Sequence, residues 1–164
     1  DGQLVLDARL FHADQKPAID VGTSVSRVGG KTQAPGLRTL TASFRVEYAQ
    51  FLELELFTRF GGMNDARVKA QLARGERLRA LLAQPQYAPL RLVDEMALAF
   101  ALREGLLDSV SVAAIGALRA ALPAWIDARA GGVVAEVERD RALSDANAGH
   151  LRTALADLVA RHRQ

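Results

Sequence analysis

The residues whose types best suit binding or catalysis lie at 25–32, where a β-branched pattern meets two glycines and a lysine. The run Val25-Ser26-Arg27-Val28-Gly29-Gly30-Lys31-Thr32 nearly matches the phosphate-binding loop Gly-x-x-x-x-Gly-Lys-Ser/Thr. Val25 occupies the position of the first glycine. Its β-branched side chain resists the backbone angles that such a loop uses and would crowd a phosphate. We therefore interpret this run as a glycine turn that enters a helix.

Arg27 is the residue of this stretch whose chemistry is most distinctive. Its guanidinium group carries a permanent charge and five hydrogen-bond donors, which suits a phosphate group. Its immediate neighbours Ser26, Val28 and Gly29 supply no carboxylate. A long cationic side chain on a glycine-bounded loop can project beyond its own domain. This setting is consistent with a partner in another chain.

Several other kinds of site lack their required residues. The chain has no cysteine, which excludes a disulfide framework, a thiolate zinc cluster and a catalytic thiol. The three histidines, His12, His150 and His162, lack metal-ligand spacing, so we predict no metal site. The net charge is +2, without a continuous basic stripe, and we expect no nucleic-acid partner. The longest apolar run, Met96–Leu102, is too short to span a bilayer.

The elements that must position these residues are predicted to be mainly helical. Short extended segments are predicted at Leu4–Leu6 and Thr23–Val28, with a turn capped by Asp7 between them. From Pro35 onward, apolar residues recur at spacings of three and four. We predict a first helix over 35–60, ended by Gly61-Gly62, a second from about 64–65 to before Pro85, and a third over 92–104. A fourth begins at a Ser109 cap, has a kink or restart at Pro123, and ends at Gly131-Gly132. Two more are predicted over 133–141 and after a Ser144 cap. The fold class is therefore a helical domain, 32–164, preceded by a short β-containing piece, 1–31.

The second predicted helix carries a row of cationic side chains opposite its apolar face. We predict that this row is solvated, and a docking surface for an acidic partner is the alternative. Its members are Arg67, Lys69, Arg74, Arg77 and Arg79.

In order and spacing, a set of short runs resembles the alpha subunit of F-type ATP synthases. The runs are Asp1–Gln3, Lys16–Gly22, Ser24–Gly29, Tyr48–Glu55, Phe60-Gly61, Leu72–Leu78 and Gln84–Tyr87. They extend over about residues 1–108, and the last third is placed by continuity. The resemblance implies a C-terminal fragment of such a subunit. Residues 1–31 would be the end of its nucleotide-binding domain, and 32–164 its C-terminal helical bundle.

The resemblance also implies roles for individual residues. Arg27 would be an arginine finger, offered in trans to ATP in the catalytic site of a neighbouring beta subunit. Lys16, Pro17, Gln84 and Gln86 would line the adenine pocket of a non-catalytic site that binds ATP or ADP with Mg²⁺ in the full subunit. No cofactor is expected in the fragment, which we expect to be inactive by itself.

Partners and location follow from the same resemblance. The subunit would assemble with beta subunits and the gamma subunit of the central stalk. It would be peripheral to the cytoplasmic face of the bacterial inner membrane, within a complex that couples ATP synthesis to hydrogen-ion or sodium-ion transport. Exposed strand edges within residues 1–31 favour pairing between copies of the isolated fragment.

Three departures from the family pattern indicate an alternate bacterial alpha subunit. Lys16 stands where the family usually has arginine, which removes planar stacking on a base. Asp20 replaces a usual asparagine, and Gly30-Lys31-Thr32 replaces small uncharged residues. Two other readings stay open. Residues 32–164 could be a helical interaction module without a nucleotide role, and the near-match at 25–32 leaves an independent phosphate-loop nucleotidase as a weaker alternative.

Overall fold

A computed structural model describes residues 2–60 and 65–163. Its elements are strands β1 (Gly2–Gln3) and β2 (Val25–Ser26), helices α1 (Ala8–His12), α2 (Gly29–Thr32), α3 (Pro35–Leu40), α4 (Phe44–Phe60), α5 (Ala66–Leu82), α6 (Leu92–Arg103), α7 (Val112–Arg129), α8 (Gly131–Asp140) and α9 (Asp145–Ala160), and a 3₁₀ turn at Leu106–Ser109. The predicted mainly helical class is confirmed.

The chain forms two compact units, one of residues 1–33 and 42–89 and the other of residues 34–41 and 90–164. These units group residues by contact. The predicted domain boundary between residues 1–31 and 32–164 is a different division, and it stays a prediction.

The first unit is organised around the antiparallel helices α4 and α5. Gly75 of α5 lies against the ring of Phe51, and a Cβ at Gly75 would overlap that ring. Tyr48, Phe51 and Leu78 are buried around this close approach. A small residue at the contact therefore allows two long helices to pack at short range.

Two ion pairs join the same helices and correct one prediction about the cationic row. Arg74 contacts Glu47 at 2.8 Å, and Arg79 contacts Glu55 at 2.7 Å. The Arg79 guanidinium also lies 4.5 Å from the centroid of the Phe51 ring. The row was predicted to be solvated, but Arg74 and Arg79 are partly buried because they pair with carboxylates on the neighbouring helix.

The N-terminal part of this unit is held by backbone pairing. β1 and β2 are antiparallel, with Gly2 opposite Ser26 and Gln3 opposite Val25. The strand predicted at Leu4–Leu6 is displaced toward the N-terminus, to Gly2–Gln3, and Leu6 forms only an isolated bridge with Ile19. Asp7 caps α1 as predicted, accepting a hydrogen bond from the Arg9 backbone N–H.

The second unit is built around α6, in which every residue from Val93 to Leu102 except Glu95 is buried. Helices α3, α7, α8 and α9 contact it. Gly36 of α3 donates its backbone N–H to the Arg141 carbonyl at 3.0 Å, and a Cβ at Gly36 would collide with Met96. Apolar residues of the other helices form the core with α6: Ile115, Leu118, Leu122, Ile126, Leu151, Leu155, Leu158 and Val159 are buried.

One long helix predicted over 35–60 is wrong, because the chain leaves the helix between Leu40 and Phe44. The Thr41 hydroxyl donates to the Leu37 carbonyl, and the Ser43 hydroxyl donates to the Glu47 carboxylate. Such local side-chain hydrogen bonds favour helix ends over helix continuation. The predicted end at Gly61-Gly62 lies outside the described residues, whereas the start of α5 at an Asp65 cap agrees with the prediction.

Predictions around the fourth helix also need correction. The segment ending at Ser109 is a 3₁₀ turn, and α7 begins after Ser111. α7 runs through Pro123 without a restart, since four buried aliphatic side chains on one face hold it in place. Gly131 and Gly132, predicted to end this region, instead form the first turn of α8, which buries Val133 and Val137.

Candidate functional site

Arg27 lies directly after β2, and its side chain is exposed. The chain then turns at once into α2, where the Ser26 hydroxyl accepts a hydrogen bond from the Gly29 N–H at 2.8 Å. Thr32 directs its hydroxyl back to the Gly29 carbonyl at 3.0 Å. The segment 25–32 is therefore a strand end followed by a single short helical turn. Arg27 stands at the corner between them. The extended segment predicted over Thr23–Val28 is a strand only at Val25–Ser26, and the glycines of the predicted turn lie within α2.

The loop that leads into β2 is held by a network of hydrogen bonds. The Asp20 carboxylate accepts from the N–H groups of Gly22 and Thr23, at 2.9 and 3.2 Å. Hydrogen bonds from Thr23, first from its side chain and then from its backbone, lower the pKa of Asp20 below its ordinary value. The Ser24 N–H donates to the Asp20 carbonyl, and the Ser24 hydroxyl accepts from the Val5 N–H at 3.0 Å.

Arg45 adds a contact to this loop that the sequence patterns did not reveal. Its Nη2 donates to the Ser24 carbonyl at 2.9 Å and to the Gly22 carbonyl at 3.4 Å. Arg45 is the second residue of α4, where a cation opposes the helix dipole. The sequence carried no signal for this contact, because the helix predicted over 35–60 placed Arg45 in a helix interior.

The four residues predicted to line an adenine pocket are all exposed, and the structure brings two of their segments together. The Gln84 N–H donates to the Lys16 carbonyl at 2.8 Å. The Gln84 side-chain amide donates to the Ala88 carbonyl at 3.0 Å, which closes the connector between α5 and α6 on itself. Pro17 follows Lys16 directly, whereas Gln86 lies further along the connector.

Lys16 itself has local partners for its charge. Its ammonium lies 2.6 Å from the Asp14 carboxylate and 5.2 Å from the centroid of the Phe11 ring. The ammonium of Lys16 is thus directed toward its own turn. Pro17 and Gln84, on the two joined segments, are exposed beside it.

The first unit also contains an open cleft of about 430 Å³ that sequence reasoning missed. Apolar side chains form most of its walls, and the Arg79–Glu55 ion pair lies at one side. Its lining includes Asp7, Leu10, Asp20, Val21, Tyr48, Leu52 and Leu56. These residues come from segments far apart in sequence, and for that reason no local motif could have predicted the cleft.

Comparison with known proteins identifies the family. Residues 33–158 match the family described as ATP synthase alpha/beta chain, C terminal domain. The chain belongs to this family. It is 52% identical over 161 residues to "ATP synthase subunit alpha 2" of Burkholderia thailandensis, a match that covers 98% of this chain and 28% of the relative.

Further ATP synthase relatives agree. The chain is 53% identical over 160 residues to "ATP synthase subunit alpha 3" of Paraburkholderia xenovorans, covering 98% of this chain and 30% of that protein. It is 59% identical over 129 residues to "ATP synthase subunit alpha 2" of Burkholderia pseudomallei, with coverages of 79% and 19%. The predicted resemblance to an alternate bacterial alpha subunit is confirmed. The chain spans less than a third of the length of these relatives.

No helix within 2–60 and 65–163 is long and apolar enough to cross a membrane. The same residues hold no cluster of three or more histidine, cysteine, aspartate or glutamate side chains that could bind a metal ion.

Proposed function

We propose that this chain acts as the C-terminal part of an ATP synthase alpha subunit, within an F-type complex that couples ATP synthesis or hydrolysis to hydrogen-ion or sodium-ion transport. One observation carries the proposal. The matches to subunits named alpha cover 98% of the chain, so they include the N-terminal segment with Arg27 as well as the helical bundle.

Arg27 is the residue through which this chain would take part in chemistry. In phosphoryl transfer, negative charge spreads over the transferred group, and a guanidinium supplied in trans stabilises it. The exposed side chain and its place at the end of a hydrogen-bonded strand support this role. We assign Arg27 as the finger that reaches the catalytic nucleotide of a neighbouring beta subunit.

Lys16, Pro17, Gln84 and Gln86 would contribute one wall of a non-catalytic nucleotide site. The hydrogen bond between Gln84 and Lys16 supports this assignment, because it preorganises two separate segments at one place. The side-chain amides of Gln84 and Gln86 offer hydrogen-bond donors and acceptors for a base, and the described residues hold no carboxylate cluster for Mg²⁺. The phosphates and Mg²⁺ of ATP or ADP would be bound by other parts of the full subunit.

The remaining assignments concern the assembly. Residues 1–31 would be the C-terminal end of the nucleotide-binding domain. Residues 32–164 would form the helical domain, near the central stalk. Beta and gamma subunits are the expected partners, at the cytoplasmic face of the bacterial inner membrane.

Assembly tests this proposal directly. We expect the full-length subunit, co-expressed with the beta and gamma subunits of the same organism, to co-purify in a complex that hydrolyses ATP. The 164-residue chain alone should show no turnover. Recovery of the full-length chain without beta subunits would favour the alternative of a helical interaction module, and turnover by the isolated chain would favour an independent nucleotidase.

A further inference from the structure

Arg45 connects the first turn of α4 to the loop that leads into β2, the strand after which Arg27 lies. Its guanidinium bonds the carbonyls of Gly22 and Ser24, which are 23 and 21 residues away in sequence. A cation at a helix N-terminus is unfavourable for the helix itself. The contact with the loop therefore accounts for the side chain better than any contribution to α4.

The contacted segment leads directly to Arg27. Ser24 immediately precedes β2, and Arg27 immediately follows it. In extended backbone, three residues span about 10 Å. Because β2 is paired with β1, no flexible linker separates Ser24 from Arg27. A displacement at Ser24 would therefore be transmitted along β2 to Arg27. The position of the Ser24 carbonyl thus bears on the position of the Arg27 backbone.

Other hydrogen bonds hold the loop from its remaining sides. Asp20 binds the N–H groups of Gly22 and Thr23 within the loop, and Val5 binds the Ser24 hydroxyl from the lead-in segment. The contact from Arg45 differs because it comes from a helix. α4 in turn is paired with α5 through Glu47–Arg74 and Glu55–Arg79.

We propose that Arg45 is a positioning residue for Arg27. It fixes the loop that precedes β2 to the α4–α5 helix pair, and so holds the arginine finger in the position from which it acts. This inference rests on the proposed function of Arg27. In enzymes, a displacement of about 1 Å in a positioned group can lower the rate by about a hundredfold. The loop keeps its other hydrogen bonds when Arg45 is replaced, so we expect a fall in kcat of about tenfold.

The experiment uses the assembled complex with full-length subunits and compares Arg45→Ala, Arg45→Lys and a control, Arg67→Ala. Arg67 is likewise the second residue of its helix, α5, and is likewise exposed. We expect Arg45→Ala to lower kcat with little change in KM, and Arg45→Lys to restore part of the rate because one ammonium can still donate to Ser24. Arg67→Ala should behave as the unaltered complex. Unchanged kcat in Arg45→Ala would overturn the inference.

A double-mutant cycle separates this inference from the function on which it rests. If Arg45 acts through Arg27, Arg45→Ala should have no further effect on the residual turnover of Arg27→Ala. An equal loss in both backgrounds would show that Arg45 acts by another route and would overturn the positioning role. If Arg27→Ala alone leaves turnover unchanged, the proposed function of Arg27 fails. If Arg27→Ala lowers turnover and Arg45→Ala does not, only the present inference fails.

Discussion

The backbone N–H of Gln84 donates to the carbonyl of Lys16 at 2.8 Å, across 68 residues of sequence. This bond joins the connector after α5 to the turn that comes before the loop leading into β2. It places two of the proposed adenine-contacting segments side by side. The side chain of Lys16, however, lies against Asp14 and Phe11.

Restoring an arginine at position 16 should therefore strengthen the non-catalytic site. A guanidinium can stack on a base where an ammonium cannot, and an exposed stacked cation contributes about 0.5–1 kcal/mol, or a two- to fivefold change in affinity. We expect Lys16→Arg to lower the Kd of the full-length subunit for ATP by about that factor, measured by equilibrium titration. Lys69→Arg, at an exposed position of α5, should leave the Kd unchanged. Equal Kd values for Lys16→Arg and the unaltered subunit would argue against base contact at position 16.

The close approach of Gly75 to Phe51 should make the α4–α5 pair intolerant of a methyl group. A Cβ at Gly75 would overlap the ring, whereas a Cβ at Gly116, in α7, would meet no atom within 4 Å. We expect Gly75→Ala to lower the free energy of unfolding by about 1–3 kcal/mol, and Gly116→Ala to raise it by about 0.4–1 kcal/mol. Thermal unfolding of both variants measures this difference. A stabilised Gly75→Ala would contradict the described packing.

Arg91 has two carboxylate partners that differ in burial. The Asp94 side chain is 2% exposed and lies 2.8 Å from Arg91, while Asp127 is 51% exposed and lies 3.0 Å away. Asp94→Ala removes two partly buried charge-assisted hydrogen bonds from Arg91, whereas Asp127→Ala removes an exposed ion pair. We expect Asp94→Ala to destabilise the chain by about 1.5–3 kcal/mol and Asp127→Ala by less than about 1 kcal/mol in chemical denaturation. Similar losses for the two variants would refute the distinction.

Glu47 should give the chain a measurable pH dependence. Burial acts to raise the pKa of Glu47, but hydrogen bonds from Arg74 and Ser43 outweigh it and hold the pKa below the ordinary glutamate value. A folded-state pKa that is depressed contributes stability above the unfolded-state pKa, and this contribution is lost as the pH falls through the folded-state pKa. Glu47→Gln should therefore be less stable than the unaltered chain at about pH 7 and nearly equal to it at about pH 3.

The control for this titration is Glu53→Gln, which removes an exposed carboxylate from the same helix. Its stability should follow that of the unaltered chain at both pH values. A difference between Glu47→Gln and the unaltered chain that persists undiminished in acid would show that the loss comes from packing and not from charge.

Periodicity predicted most of the helices, because apolar spacing at three and four residues directly reflects a buried face. Val93, Met96, Ala97 and Phe100 recur at this spacing in α6, and all are buried. Local rules failed where tertiary packing decides the outcome. Pro123 does not restart α7, and Gly131, which was expected with Gly132 to end the preceding helical region, forms the first turn of α8.

The candidate site was predictable only in part. Short runs that resemble the family contain all five predicted site residues, which are Lys16, Pro17, Arg27, Gln84 and Gln86. The contact of Arg45 with Ser24 could not be derived, since it joins residues 21 apart without a repeating pattern. The cleft beside Arg79 was missed for the same physical reason, because its walls come from three distant segments.

Steady-state ATP hydrolysis by the assembled complex carrying Arg27→Ala tests the central claim most directly. Lys31→Ala is the matched control, since Lys31 is an exposed cation four residues further along the chain, in α2. We expect Arg27→Ala to lower turnover by about a thousandfold while nucleotide binding to the beta subunits is largely preserved, and Lys31→Ala to remain near normal. Near-normal turnover in Arg27→Ala, or an equal loss in Lys31→Ala, would contradict the assignment of Arg27 as an arginine finger.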